Sequence, residues 1–353
     1  MAGTISVSLD AMGGDKGPEM VIAGADLALE RYPDLRYLLV GDEAKIAPLI
    51  KSSKRLNAIN ATIRHTDSVV EADAKPSVAL RQGRNSSMRL AIDAVRDGDA
   101  QCIVSAGNTG ALMAMSKMAL KMISGISRPA LGATFPTRRG ETVILDLGAN
   151  IQCDSRNLVE FALMGQIFSR IVLGLERPVV GLLNVGSEEQ KGHDSIREAA
   201  AMLRDLTDTP FDFAGFVEGD GITAGDIDVV VCDGFTGNVA LKTAEGTAKM
   251  MSGFIRNSFQ SSLMSKIGYL FARNAIGQLR QRMDPRRYNG AMLLGLNGIS
   301  VKSHGGTDAL GFANAIAVGA EMVRYGFLEK VSREIAALDF DHSAEDKKVA
   351  ASL

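Results

Sequence analysis

Cysteine is scarce in this 353-residue chain: Cys102, Cys153 and Cys232 stand far apart, and no CxxC pair occurs. That pattern argues against a disulfide scaffold or a cysteine-rich zinc site and fits a reducing cytoplasm. The thiols read as small packed residues rather than acyl-enzyme nucleophiles. No HExxH or other paired metal-ligand spacing is present, so no catalytic metal and no cofactor is expected. No apolar run reaches the roughly 18 residues that a spanning helix needs, and the strand-like opening TISVSLD has no signal-peptide pattern. Neither sign of charge prevails: 39 Lys and Arg against 41 Asp and Glu leave a formal net charge of -2. A nucleic-acid binder is therefore not expected, and any cationic site must be a local cluster.

What is present is a large apolar fraction, 46% of residues, enough to bury a sizeable core. β-rich runs near 4–10, 36–40, 60–65, 101–105, 142–147, 178–184, 213–217, 227–232 and 291–295 alternate with helical stretches near 18–31, 43–50, 87–96, 109–123, 155–171, 193–205, 237–258 and 306–325. This alternation predicts βαβ units in an α/β fold: a three-layer αβα arrangement around a mostly parallel sheet. The run TVILDL at 142–147 is apolar on both faces, as a sheet covered by helices on both sides requires. One large domain is expected over 1–340, as a single body or as two subdomains around a cleft, with a polar tail at 341–353.

Segment 250–287 breaks the rhythm. Leu263, Ile267, Leu270 and Phe271 share one helix face, and Ile276, Leu279 and Met283 continue the stripe on a second helix. Its basic residues are Arg256, Lys266, Arg273, Arg280, Arg282, Arg286 and Arg287, against the single acid Asp284. An amphipathic helical hairpin follows. It serves either as a dimer-interface pair with a solvated basic edge or as a surface for an acidic carrier protein, anionic lipid, or both.

Several glycine-rich turns fall where strands end and helices begin. The first, LDAMGGDKGPE, presents Asp10, Gly13, Gly14 and Asp15 ahead of Pro18, which suits a first helical turn. Its two acids oppose a bare phosphate, so a structural turn and a substrate-shaping loop both remain open. The strongest anion-site signal is SAGNTGA, where Ser105, Gly107, Asn108, Thr109 and Gly110 join a buried strand to a helix start. A Walker lysine is absent, so a nucleoside triphosphate is not implied. DLGAN contributes Asp146 and Asn150; NVGSEEQKGHDS contributes Asn184 and Lys191; CDGFTGN contributes Asp233 and Asn238 before a helix carrying Lys242. SHGGTDA adds His304, a better site candidate than His65 or His193 because of its flanking glycines. Polar strand ends of this kind line the crevices of open parallel sheets, although helix capping competes as the role of each acid.

Taken together, LDAMGGDKGP, PSVALRQGRNSSM, SAGNTGALM, RPA, DLGAN, SEEQKGHDSIR, VCDGFTGNVALKTAEG and SHGGTDALGF resemble the bacterial phosphate acyltransferase family known as PlsX. The resemblance covers nearly the whole chain, and the set is specific where each loop alone is not. It implies a homodimer whose fold is similar to that of isocitrate and isopropylmalate dehydrogenases. It also implies a reaction: long-chain acyl-acyl-carrier-protein plus inorganic phosphate gives acyl phosphate plus free acyl carrier protein. That step feeds phospholipid synthesis, with a downstream glycerol-phosphate acyltransferase as a further partner. Peripheral association with the inner face of the cell membrane, through a hairpin like 250–287, is implied as well.

A thioester already has a tolerable leaving group, so phosphate can attack it directly while the protein positions and stabilises the reactants. On this reading Ser105, Asn108 and Thr109 contact phosphate or the oxyanion, and Lys191 clamps charge. Asn184, Asp233 and Asn238 orient the reactants, and His304 donates a hydrogen bond. Lys266, Arg273, Arg280, Arg282, Arg286 and Arg287 meet carrier or membrane. Three alternatives stand beside it: a phosphotransacetylase using acyl-coenzyme A, a nicotinamide-dependent hydroxy-acid dehydrogenase without a GxGxxG fingerprint, and a noncatalytic carrier or membrane adaptor.

Overall fold

The computed structural model describes residues 4–337, so the tail expected at 341–353 lies outside the described residues. The elements follow in the order β1 (Ile5–Asp10), α1 (Gly17–Arg31), β2 (Leu35–Gly41), α2 (Glu43–Ser52), β3 (Ala61–His65), α3 (Pro76–Gln82), α4 (Ser87–Arg96), β4 (Cys102–Ser105), α5 (Thr109–Leu120), β5 (Ala130–Pro136) and β6 (Glu141–Leu145). They continue with α6 (Ser155–Val172), β7 (Val179–Leu183), α7 (Asp194–Asp205), β8 (Asp212–Val217), β9 (Val229–Val231), α8 (Gly234–Gln260), α9 (Leu263–Arg282), β10 (Ala291–Leu294), β11 (Ile299–Lys302), α10 (Ala309–Arg324) and α11 (Phe327–Ala337).

All eleven strands form one sheet in the order β3-β2-β1-β4-β11-β10-β5-β6-β9-β7-β8. Its strands alternate their apolar side chains between two separate cores, as a sheet buried on both faces demands. In β4, Cys102 and Val104 join the core that contains α1, α6 and α10, while Ile103 joins the one beneath α4 and α5. Three layers result, as the sequence predicts. Local sequence sets the element ends: Pro18 occupies the first turn of α1, Asp42 caps α2, and Asp154 with Asn157 forms a capping box on α6.

Pairing is parallel except where β10 meets β11 and β5, and where β5 meets β6. Following these senses across the sheet, β6, β9, β7 and β8 run opposite to β1, β2, β3, β4 and β11. The polar strand ends therefore divide between two opposite edges. Helix α8 starts at one edge, after β9, and α9 packs back on its far half, with Phe259 edge-on to Tyr269 at 5.5 Å between ring centroids. No described helix is long and apolar enough to cross a membrane.

Candidate active site

Three loops meet at the carboxyl ends of β1, β4 and β11. Asp15 N–H donates to the Gly305 carbonyl at 3.0 Å, and Ser303 N–H donates to the Ser105 carbonyl at 2.9 Å. The glycines make this approach possible: a Cβ on Gly13 would stand 2.7 Å from Asp10 Oδ2 and 2.8 Å from Gly107 N. Gly14, at φ +90°, packs against Ala106 and the Gly305 carbonyl, a place where a side chain is barred by both space and backbone.

Beneath the loops, Asp10 is wholly buried and accepts the hydroxyls of Ser87 and Ser105, each at 2.6 Å. Burial pushes its carboxyl up from the ordinary value, against the lowering effect of the two serines and of Lys302. Ser105 in turn accepts Gly107 N–H at 3.0 Å, so its hydroxyl organises the turn from below. Asn108 caps α5 through Ala111 N–H, and its amide donates to the carbonyls of Ala72 and Ala74 at 2.8 and 3.0 Å. Its side chain thus fastens the 72–74 loop over the turn, with Thr109 and Gly110 opening the helix behind it.

Lys302 ends β11 half-buried in this cluster. Its ammonium donates to the carbonyls of Ala106 and Ser303, and no described carboxylate lies within salt-bridge distance. Burial lowers its pKa to about 8, offset by the field of Asp10 and Asp15 and reinforced by Lys242. His304 is exposed at the rim and accepts Gly306 N–H on Nδ1 at 3.1 Å, which leaves the neutral ring's proton on Nε2. Burial, then Lys242, lower its pKa below 6.5, with Lys302 and Lys249 acting in the same sense. Lys242 and Lys249 belong to α8, so that helix brings its cations to the edge where Lys302 and His304 stand. Asn289 holds the rim, accepting His304 N–H at 2.9 Å and donating to Ser303 Oγ at 2.8 Å.

The remaining candidates gather elsewhere. At the opposite edge, the Asp146 carboxylate accepts N–H groups from Leu131, Gly148, Ala149 and Asn150, and the Asn150 amide as well. Gly234 N–H donates to the Asn150 carbonyl at 2.7 Å, Asp233 caps α8 through Thr236 N–H at 2.8 Å, and Asn238 faces Gly148. This knot fixes the start of α8, and Lys242 lies eight residues on, about 12 Å along the helix. Asn184 ties its own loop, donating to the Lys191 carbonyl at 3.0 Å, and Lys191 pairs with Glu188 at 2.8 Å on the surface.

On the hairpin, Lys266, Arg273 and Arg282 are exposed beside Leu263, Met264, Ile267, Leu270 and Phe271. The Arg280 side chain lies outside the described residues. Arg286 is committed to Asp284 and Asp308 at 2.6 and 2.8 Å, while Arg287 lies near enough to Glu141 to lower its pKa against the raising effect of burial.

Sequence reasoning missed Lys302, Asn289 and Ser87. The apolar alternation of Ile299 and Val301 was the available signal for Lys302, but a four-residue strand so close to SHGG reads as loop.

The likeness to solved structures is one of fold. A phosphotransacetylase from Staphylococcus aureus superposes with a TM-score of 0.59 at 17% identity, covering 91% of this chain and 96% of that one, which establishes a shared fold. A family model described as "Fatty acid synthesis protein" matches residues 5–330. The phosphate acyltransferase of Rhodospirillum centenum is 62% identical over 338 residues, 96% of this chain and 95% of the relative. That of Paramagnetospirillum magneticum is 57% identical over 338 residues, 96% of each chain. The chain belongs to the bacterial phosphate acyltransferase family and is an acyltransferase.

Proposed function

We propose that the protein converts long-chain acyl-acyl-carrier-protein and inorganic phosphate to acyl phosphate and free carrier, supplying phospholipid synthesis. The observation that carries this reading is the meeting of three glycine-rich strand ends around Lys302 and His304, in a chain so similar to phosphate acyltransferases. Phosphate is seated by the Lys302 ammonium, the Nε2–H of His304 and Lys242 from α8. A phosphate oxygen attacks the thioester carbonyl carbon; the carbon–oxygen bond forms, the carbon–sulfur bond breaks, and the carrier's thiolate leaves and is protonated by solvent. The fixed cations and N–H donors of a partly desolvated site favour the developing negative charge. Gly13, Gly14, Gly107 and Gly110 shape the seat, Asp10 and Ser105 hold it from below, and the Asp146–Asn150–Asp233–Asn238 knot aims α8 at it. Lys191, on the loop after β7 at the opposite edge, stands outside it; Lys242 reaches it by exchanging its ion pair with Glu245 for phosphate.

The exposed apolar and cationic face of α9 supports docking of an acidic carrier protein and of an anionic membrane surface. The protein then works as a cytoplasmic homodimer at the inner face of the membrane, passing acyl phosphate to a glycerol-phosphate acyltransferase. The test is free-thiol release from palmitoyl-acyl-carrier-protein with and without phosphate. Release that requires phosphate is expected, and release at the same rate without phosphate contradicts the reading.

A further inference from the structure

The loop after β1 carries two acids beside the phosphate seat, and the fold uses them differently. Asp10 commits its carboxylate oxygens to the hydroxyls of Ser87 and Ser105. The Asp15 carboxylate is exposed and has no hydrogen-bond or ion-pair partner among the described residues. Its main chain is nevertheless fixed, because Asp15 N–H donates to the Gly305 carbonyl at 3.0 Å.

Asp15 and His304 border the same glycine. A Cβ built on Gly306 would stand 3.2 Å from Asp15 Oδ2 and 3.6 Å from His304 Cε1, and one on Gly305 would stand 3.4 Å from Asp15 Oδ1. The carboxylate oxygen and the ring carbon are therefore at most about 7 Å apart, a gap that one phosphate bridges with hydrogen bonds of ordinary length. Gly306 lies outside the left-handed backbone region, so no turn demands its missing side chain; its bare Cα leaves room between the two groups. Asp15 is also within electrostatic reach of Lys302: burial lowers the pKa of that ammonium, and the fields of Asp10 and Asp15 oppose the lowering.

A carboxylate only accepts hydrogen bonds. It repels an anion that offers nothing but lone pairs and holds one that offers an O–H. Near pH 7 inorganic phosphate always carries at least one P–OH hydrogen, whereas sulfate, of similar size, carries none. We propose that Asp15 is the specificity-determining residue of the seat: its carboxylate accepts the phosphate's own hydrogen, while Lys302 and His304 donate to the other oxygens, and sulfate is refused. The proposal rests on phosphate being the second substrate at this seat. Discrimination comes from a repulsive element as much as from the new bond, since sulfate would set lone pair against lone pair.

The experiment titrates phosphate and sulfate by calorimetry into the full-length native protein, Asp15→Asn and Lys302→Met, at pH 7 and one ionic strength. The native protein is expected to bind phosphate at least about tenfold tighter than sulfate, and Asp15→Asn to lower that ratio about tenfold, chiefly by admitting sulfate. The ratio is the discriminating readout, because the loss of a charge, or of its field at Lys302, moves both affinities in one sense. Asparagine has the size of aspartate, so the anion-free melting temperature is expected to stay at the native value. In turnover, sulfate should compete with phosphate in Asp15→Asn and hardly at all in the native protein. An unchanged ratio in Asp15→Asn overturns the proposal, and so does a native protein that binds the two anions alike. Lys302→Met should weaken both anions; unchanged affinities there would displace the seat from Lys302. Thiol release that is independent of phosphate sinks the reaction, while the phosphate-to-sulfate ratio still decides the role of Asp15.

Discussion

The main-chain N–H of Gly306 donates to Nδ1 of His304 at 3.1 Å and thereby fixes the imidazole proton on Nε2. With its pKa held below 6.5 by burial and by Lys242, the ring is neutral near pH 7 and acts as a hydrogen-bond donor. His304→Ala is predicted to lower turnover about 10²–10³-fold, the usual effect of removing one donor to developing charge. Its melting temperature should match the native value, because the ring is only partly covered and its hydrogen bond is a local one, from Gly306 N–H. Steady-state kinetics with a thermal melt check this, and an unchanged phosphate KM and kcat would remove His304 from the seat.

Lys302 should reveal itself through pH. Its pKa of about 8 means that the ammonium loses its proton as pH rises through that value, so kcat/KM for phosphate is predicted to fall on the alkaline side. Lys302→Met should weaken phosphate dependence across the whole range. Lys302→Arg retains a cation at higher pH and should move the alkaline limb upward, whatever its absolute rate. A limb in the same place for the native and arginine proteins would assign the titration to another group.

Asp10 is predicted to matter for stability before chemistry. Asp10→Ala leaves the buried hydroxyls of Ser87 and Ser105 without their acceptor, at a cost of about 1–3 kcal/mol for each group left unpaired. Because burial raises the folded-state pKa above 3.8, the native state binds more protons than the unfolded chain between the two values. The contribution of Asp10 to stability is therefore fully present below the unfolded value and declines as pH rises through the folded one. Urea titrations at several pH values check both effects. An Asp10→Asn protein with the same pH dependence as the native one would contradict the assignment.

The hairpin predictions concern binding alone. Neutralising Lys266 and Arg273 together should weaken association with acyl carrier protein or anionic vesicles, most strongly at low salt, where exposed charges are least screened. Sedimentation with vesicles and a carrier-binding titration measure it, with stability unchanged. No loss in either assay would discard the role of α9.

Much of this was legible in the sequence, for identifiable reasons. Nine strands showed themselves as β-rich runs, and the stripe through Leu263, Ile267, Leu270 and Phe271 marked α9. β5 was hidden because Pro129, Gly132 and Pro136 break its pattern, and β11 because it is only four residues long. The pairing of β11 with β4 brings Lys302 beside Ser105 across nearly two hundred residues of chain, which no local pattern encodes. For the same reason the glycine-rich loops looked like one convergent set. The reversal of strand direction beyond β10 and β5 divides them between two edges, and α8 spans the gap. Asn108 shows a further limit: its place in the turn that opens α5 was readable, but its commitment to Ala72 and Ala74 depends on a loop that the sequence does not position.

The central claim is tested most directly by incubating the purified protein with palmitoyl-acyl-carrier-protein and oxygen-18-labelled inorganic phosphate, then weighing the acyl product. The account predicts palmitoyl phosphate carrying the label, formed in step with free carrier thiol. Palmitic acid as the product, or thiol released without any labelled acyl phosphate, would contradict it.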